Sequence, residues 1–431
     1  MAVGEPIDFE AIETATRHKV LAIAARAIEQ RLNADTSDYS GPEKACACGA
    51  MARYVDRRRK RFITAVGELL LARAYYHCSA CGRGFCPRDH ALGMQAQSVS
   101  PAVLRMIGTV GALVSFEQGS ELLRELAGVR VDAKRVERSA AALGAEMTDD
   151  EQHTVEVAAG SDIAPTMYLG MDGTGVPMRA RELEGRAGKQ PDGTAKTREV
   201  KLCAIWSAEG RDVHGMAVRD PGSVSYNAAI ESVATSDTGA RLSPFAKRVG
   251  REAMRRGFAR AQRRVVVGDG APWIWKLTAE MFPDAIQIVD RFHVKQHLSE
   301  VAKAIYGTPS ELGAEWAKQQ HAALDAGHID AIQQALKAHV TKVPEARRCR
   351  DYLETNRQRM RYPEFHTQGL CTSSGVLEAG CRVAIGQRLK QSGMHWSERG
   401  ANAIIALRCT KLSGRFEDFW ERRAERNPRA A

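Results

Sequence analysis

Apolar side chains recur at helical spacing near the N-terminus (Ile12, Val20, Leu21, Ile23, Ala24, Ile28) with no breaker between them, which predicts one helix over residues 8–33. The run TSDYSGPEK that follows reads as a loop. Over residues 45–90 the pattern shortens to strands and turns around cysteines. Ser100-Pro101 sets a hydroxyl cap before a proline suited to the first helical position, and helical patterning continues to about residue 150. Gly128-Val129-Arg130-Val131, ahead of Asp132, interrupts it. This fits a helix-turn-helix, and equally a plain packed helical pair.

From about residue 163 the pattern becomes unbroken apolar runs: MYLGMDG, KLCAIWS, RRVVVGDG and AIQIVD, each predicting a buried strand. The polar stretch RELEGRAGKQPDGTAKTRE predicts the connection between the first two. Residues 244–262 and 273–282 predict helices. Residues 294–361 are almost wholly helical and strongly charged, and 374–412 are helical again. No repeat or low-complexity segment occurs. The chain is thus expected to be α/β and multidomain. It divides into an N-terminal helix and loop (1–44), a cysteine-bearing segment (45–97), a helical region (98–160), an α/β core (161–293), a helical stretch (294–366), the closing helices of the core (367–413) and a polar tail with a few aromatics (414–431).

Composition narrows the class. In 431 residues, 44% are apolar and 26% charged, which excludes a wholly disordered or fibrous chain. No apolar run approaches the ~20 residues of a membrane span. The start MAVGEPIDFEAIETA has acids where a signal peptide has bases, so a cytoplasmic location is expected. Lys and Arg outnumber Asp and Glu by 62 to 52, a formal charge of +10. That excess favours a polyanionic partner, above all nucleic acid, although solvated charged faces make many proteins basic.

Five of the ten cysteines fall in one window, while Cys203, Cys349, Cys371, Cys381 and Cys409 are scattered and read as ordinary buried thiols. Cys46-Ala-Cys48-Gly and Cys78-Ser-Ala-Cys81-Gly form two knuckles that together supply the four thiolates of a structural zinc site; Cys86 is a possible replacement for one of them. A catalytic zinc is disfavoured, because four cysteines leave no open position. Between the knuckles lie Arg53, Arg57, Arg58, Arg59, Lys60 and Arg61, with Tyr54 and Phe62. Such a hairpin suits phosphate contacts, or else is a charged edge that deters strand pairing.

Three strands end in aspartate: Asp172 before Gly173-Thr174, Asp269 before Gly270-Ala271, and Asp290 before Arg291-Phe292-His293. Carboxylates converging at one sheet edge can hold a pair of Mg²⁺ ions for phosphoryl transfer. The plainer alternative is that each caps the helix after it, which suits Asp269 before APWIWKLTAEMF. The sequence lacks a GxxxxGKS/T phosphate loop, and MDGTG lacks the dehalogenase nucleophile because position 170 is Gly170. GxSxG and HExxH are absent as well.

The strings carrying these features go together. The cysteine ribbon, SPAVLRMIGTVGALVSFEQGSELLRELAGV, MDGTGVP, VVVGDGAPWIW, VDRFHVKQHL, TSSGVLEAG and GQRLKQSGMHW resemble bacterial insertion-sequence transposases of the DDE type, in the ISKra-like group. The resemblance implies a ribonuclease-H-like mixed sheet with an all-helical insertion (294–366), preceded by the zinc ribbon and the helix-turn-helix-like region. It implies a catalytic triad of Asp172, Asp269 and Glu378 binding Mg²⁺ (or Mn²⁺), with Asp290 and His293 as accessory residues. Glu280 and Glu398 are rivals to Glu378 on spacing alone. It further implies double-stranded DNA as partner, at terminal inverted repeats and target, a homo-oligomer on DNA, and a bacterial, nucleoid-associated setting.

Basic residues complete the picture. If residues 247–264 are helical, Arg248, Arg251 and Arg255 share a face, either one suited to phosphate or simply a solvated one, while Met254, Phe258 and Ala261 form the face towards the core. Arg388 and Lys390 are placed to contact a cleaved strand, and Trp396 to stack on an unpaired base, or simply to fill the core. The expected activity is Mg-dependent strand cleavage and strand transfer by a two-metal mechanism. The alternatives are a ribonuclease-H-like DNA nuclease and a non-catalytic zinc-ribbon DNA-binding regulator derived from a transposase.

Overall fold

The computed structural model describes residues 8–94, 98–154, 163–188, 190, 193–213, 215–233, 242–373 and 375–426. Residues 155–160 of the helical region, Ser374 of TSSGVLEAG and the last five of the tail lie outside these. The chain forms two compact units, Met1–Glu146 with Arg415–Ala431, and Met147–Gly414.

The first unit opens with α1 (Phe9–Ala34), capped by Asp8, whose side chain accepts from the Ala11 N–H. A four-stranded antiparallel ribbon follows: β1 (Glu43–Ala45), β2 (Met51–Thr64), β3 (Gly67–His77) and β4 (Gly84–Phe85), in that spatial order. The basic run between the knuckles forms a hairpin, in strands longer than the short ones expected over 45–90: β2 pairs along β3 from Arg53↔His77 to Thr64↔Gly67. The edge of β3 that β2 leaves free is closed by side chains. Glu29 accepts from the Leu70 N–H at 2.7 Å, Asn33 bonds the Ala72 N–H (2.8 Å) and the Leu70 carbonyl (3.0 Å), and Asp38 accepts from the Ala74 N–H at 2.7 Å.

Asp38 also receives Arg57 at 3.0 Å and Arg88 at 3.3 Å, and both Asp38 and Arg88 are buried. Among the described residues, removing the acid leaves the buried Arg88 with only the exposed Asp35 carboxylate, at 3.6 Å, as counter-charge. Asp38→Ala is therefore expected to destabilise the ribbon by about 3 kcal/mol, measured by urea denaturation of the full chain.

After α2 (Pro87–Ala91) come α3 (Pro101–Leu113), α4 (Phe116–Ala127) and α5 (Ala133–His153). Their signals act as read. Ser100 caps α3 with Pro101 at the first position, Gly128 closes α4 in the left-handed region at φ 70°, and Asp132 accepts from the Arg135 N–H at 2.9 Å. The tail departs from expectation. Residues Phe416–Arg426 form α16, with Phe416, Phe419 and Trp420 buried at positions i, i+3 and i+4.

The second unit is built on a mixed five-stranded sheet of β5 (Thr166–Pro177), β6 (Thr197–Ser207), β9 (Ser225–Ala229), β10 (Arg263–Gly268) and β11 (Ile286–Val289), in the order β11-β10-β5-β6-β9. β5, β10 and β11 are parallel, while β6 runs antiparallel to β5 and to β9. A small hairpin, β7 (Gly210–Arg211) with β8 (Ala217–Val218), follows β6. Helices α6 (Pro244–Arg255) and α7 (Pro272–Met281) flank β10 in sequence. Between β11 and the closing helices the chain is helical throughout: α8 (Arg291–Tyr306), α9 (Glu311–Asp325), α10 (Ile329–Lys337), α11 (Pro344–Asn356) and α12 (Tyr362–Thr367). The closing elements are α13 (Gly375–Gly380), a π-helical turn over Cys381–Gly386, α14 (Gln387–Leu389) and α15 (Glu398–Leu412). Among the described residues no helix is long and apolar enough to cross a membrane.

The α6 segment corrects two expectations. The helix stops at Arg255 because Gly257 takes φ 65°, so helical spacing does not carry on to Phe258. Its core face is Phe245, Ala246, Val249 and Ala253, and Met254 is exposed.

Candidate active site

The sheet register gathers the three acids, but only Asp269 and Asp290 follow the ends of their strands: β5 runs on past Asp172 to Pro177, because its pairing with β6 continues as far as Pro177↔Thr197. Met171 pairs with Gly268 across β5 and β10, and Gly268 pairs with Val289 across β10 and β11. The next residue on each of the three parallel strands is Asp172, Asp269 and Asp290. Neighbouring strands lie about 4.8 Å apart, so Asp172, within β5, and Asp269, just past the end of β10, stand side by side. Their interaction is felt electrostatically. Burial raises the Asp172 carboxyl above its ordinary range, and the charge of Asp269 adds to that rise, while bonds from the Gly173 N–H (2.6 Å) and Cys381, and the nearby His293, oppose it.

The three acids are not equivalent. Asp290 is buried and caps α8, accepting from the Phe292 N–H at 2.8 Å. Asp269 is half-buried and accepts from the Ala271 N–H at 2.9 Å. Its carbonyl takes the Tyr352 hydroxyl of α11 at 2.8 Å. Tyr352 lies against Gly270 (φ 94°), where an added Cβ would meet its ring at 2.4 Å. The Tyr352 hydroxyl is held far above its usual range by burial and by the charges of Asp269 and Asp290. His293 lies edge-on to His297, and burial and His293 lower the His297 imidazole.

Glu378 is exposed on α13. That helix lies on the face of β5 to which residues 170 and 172 both point, since side chains alternate along a strand. A Cβ at Gly170 would strike Leu377 at 2.6 Å, which gives the glycine of MDGTG a packing reason. Cys381, one turn after Glu378, places its sulfur 3.3 Å from Asp172 Oδ2. Burial and the Asp172 charge push its thiol well up. Cys381 reads in the sequence as an ordinary buried thiol, and its place three residues after Glu378 is the signal that picks it out. Lys390 bonds the Thr174 hydroxyl and acts electrostatically on Cys381, so it borders the same space. Of the rival acids, Glu398 is paired with Arg198, and Glu280 is exposed on α7.

Several residues expected on a DNA-facing surface lie elsewhere. Arg248 is buried, with its guanidinium on Glu231 at 2.6 Å and Asn227 at 2.8 Å. Arg255 pairs with the fully buried Glu252 at 2.8 Å, and Arg251 is half-buried beside Arg248. The basic face of α6 thus turns inward onto acids. Arg388 is buried beneath the ring of Trp396, itself 8% exposed and donating its Nε1–H to the Leu389 carbonyl at 3.0 Å. In the ribbon, Arg57 is committed to Asp38, and Arg58 lies over the Tyr75 ring and bonds Asp56. Arg59 is exposed.

The cysteines form a centre of their own. The sulfurs of Cys46, Cys48, Cys78 and Cys81 all lie within 4.8 Å of one another, with Cys46–Cys81 at 3.7 Å and Cys48–Cys78 at 3.6 Å. A tetrahedron of thiolates ~2.3 Å from zinc has edges of about 3.8 Å, so the quartet could hold this ion. The Cys48 thiol is lowered to about 7 by the Ala50 N–H and its sulfur neighbours. Cys81 is raised to about 11, because burial and the other three sulfurs outweigh the bond from the Arg83 N–H. Four thiols this close cannot all ionise without a cation. Cys86 stands outside the quartet as the N-cap of α2. Among the described residues this is the one such group of three or more metal-ligating side chains; Asp172, Asp269 and Glu378 are more widely spaced.

No curated protein matches the chain. Among solved structures, the Drosophila P element transposase strand transfer complex matches with a TM-score of 0.26 and 9% identity, over 78% of this chain and 83% of that one. Residues 50–424 match one family along their length, and the chain belongs to the uncharacterised protein family UPF0236.

Proposed function

We propose that the chain is a DNA transposase acting on the ends of its own element, with a ribonuclease-H-like catalytic unit and an N-terminal zinc ribbon. The observation that carries this reading is the side-by-side placement of Asp172, within β5, and Asp269, at the end of the adjacent parallel β10, with the helix that bears Glu378 packed on the same face of β5. The sheet order, with one antiparallel strand next to the first, supports the same reading.

Asp172, Asp269 and Glu378 would hold the divalent ions. All three offer hard oxygen ligands, which suit Mg²⁺ or Mn²⁺. Bound there, such ions activate a hydroxyl and stabilise the leaving oxygen of an in-line displacement. The chain's own groups position the reaction. Cys381 and the Gly173 N–H fix the two oxygens of Asp172. Tyr352 fixes the backbone at Asp269 from the helical insertion, and Lys390 presents a cation for a phosphate oxygen. Asp290 braces α8, which carries His293, beside the pair. No covalent intermediate with the protein is needed. In the ribbon, exposed Arg59 and its neighbours suit contact with the phosphate backbone.

Strand transfer separates this reading from a nuclease. Duplexes carrying the genomic flanks of the coding region, pre-cut at the element end, are expected to yield joined products with Mg²⁺. Cut but never joined DNA favours the nuclease, and DNA binding without any cleavage favours the regulator.

A further inference from the structure

The most apolar stretch of α15 contains a charge. Every residue from Ala403 to Thr410 is buried, and Arg408 stands among them, 4% exposed. An arginine is almost never buried unless its guanidinium is paired. Here the guanidinium donates to two backbone carbonyls, from Nε to Ala384 at 2.9 Å and from a terminal nitrogen to Val383. Both carbonyls belong to the π-helical turn over Cys381–Gly386.

Such a turn is a break in the helical ladder. Where bonds pass from four residues back to five, a carbonyl at the join loses its regular partner. The planar fork of arginine suits a pair of carbonyls. The turn also takes in one extra residue, which rotates everything after it by about 100°. The segment before it is seated by close approaches. Leu377 lies where a side chain on Gly170 would, and an added Cβ at Gly380 would meet Tyr226 at 2.8 Å and Leu202 at 2.9 Å. At the start of the turn Cys381 reaches Asp172, and beyond it Lys390 bonds Thr174, two residues on along the same face of β5. The extra residue thus lets both ends of the helix address one face of that strand, and Arg408 secures it. From this arrangement we propose that Arg408 is a positioning residue for metal binding: by holding the π-helical turn it sets Glu378, Cys381 and Lys390 over the face of β5 that carries Asp172. The proposal deepens the carboxylate reading and rests on it.

Mn²⁺ binding to the zinc-loaded full chain, followed by electron paramagnetic resonance, tests it. Arg408→Lys keeps the charge without the fork, and Arg408→Met removes both. Asn402→Ala is the control for packing alone, because it unties α15 from the Ile230 backbone and leaves the turn untouched. Wild type is expected to bind Mn²⁺ and Asp172→Asn to lose it. Each Arg408 variant should bind about 10–100-fold more weakly, the usual effect of removing an outer support of a metal ligand, with zinc content and circular dichroism unchanged. Asn402→Ala should melt lower yet bind Mn²⁺ as wild type does. Cleavage by Arg408→Lys should need more Mn²⁺ and recover at saturation, and Arg408→Gly should regain affinity when guanidinium ion is added. Arg408 variants that bind like wild type, or a loss as large in Asn402→Ala, overturn the proposal and leave the carboxylate reading standing. Equal binding by wild type and Asp172→Asn overturns that reading and the proposal together.

Discussion

Asp172→Asn is expected to reduce strand cleavage at element ends by about 10³-fold or more, equivalent to at least ~4 kcal/mol of barrier, while binding to those ends stays within a few-fold of wild type. The same substitution should stabilise the metal-free protein. Burial and Asp269 raise the Asp172 carboxyl above its ordinary value. An ionised carboxylate with a raised folded-state value costs stability at neutral pH, and that cost disappears as pH falls through the folded value towards the unfolded ~3.9. In a chelator, therefore, the Asn variant should melt higher than wild type near neutrality, by about 2–4 °C per kcal/mol, and the gap should close on acidification. Adding Mg²⁺ should reverse the order, since only the wild type gains by binding. Cleavage by the variant at the wild-type rate removes the carboxylate assignment altogether.

Loss of the cysteine-bound ion has the second large expected effect. Purified protein should contain one zinc per chain, Cys48→Ser should lose it, and Cys86→Ser should keep it. Cys46 and Cys78 are buried in a small cluster with Ala52, Ala74 and Tyr76, a core too slight to hold the knuckles by itself. Structural zinc contributes on the order of 10–16 kcal/mol in small metal-dependent domains, comparable with a whole domain's stability. Chelation should therefore raise amide exchange around the knuckles and β1, while the sheet of the second unit keeps its protection. Protein that carries no zinc and exchanges no faster after chelation would falsify the ribbon assignment.

How far the sequence disclosed this architecture depends on where the stabilising forces act. The caps at Ser100 and Asp132 and the stop at Gly128 are local, and they were legible. So were the apolar strands themselves, because buried parallel strands have little choice of composition, although β5 runs on past its aspartate to Pro177 because its further length is set by pairing with β6. The length of the hairpin strands was underestimated because β2 is exposed over most of its course and shows little alternation of buried and exposed positions. The basic stripe of α6 was misread because its counter-charges, Glu151 and Glu231, come from other elements, and only Glu252 is its own. The tail's three aromatics found a core that only the fold supplies. Tyr352 reaches Asp269 from a remote part of the chain that no spacing rule connects, whereas Cys381 was within reach of one only through its helical spacing from Glu378.

The side chains closing the free edge of β3 set a practical boundary for the ribbon. A fragment beginning at the first knuckle would lose Glu29, Asn33 and Asp38 together and bare the backbone from Leu70 to Ala74 as a template for intermolecular strand addition. The amino-terminal helix thus serves as a guard against fibril-like stacking of the element beside it, and any truncated version intended for solution work should start upstream of Phe9.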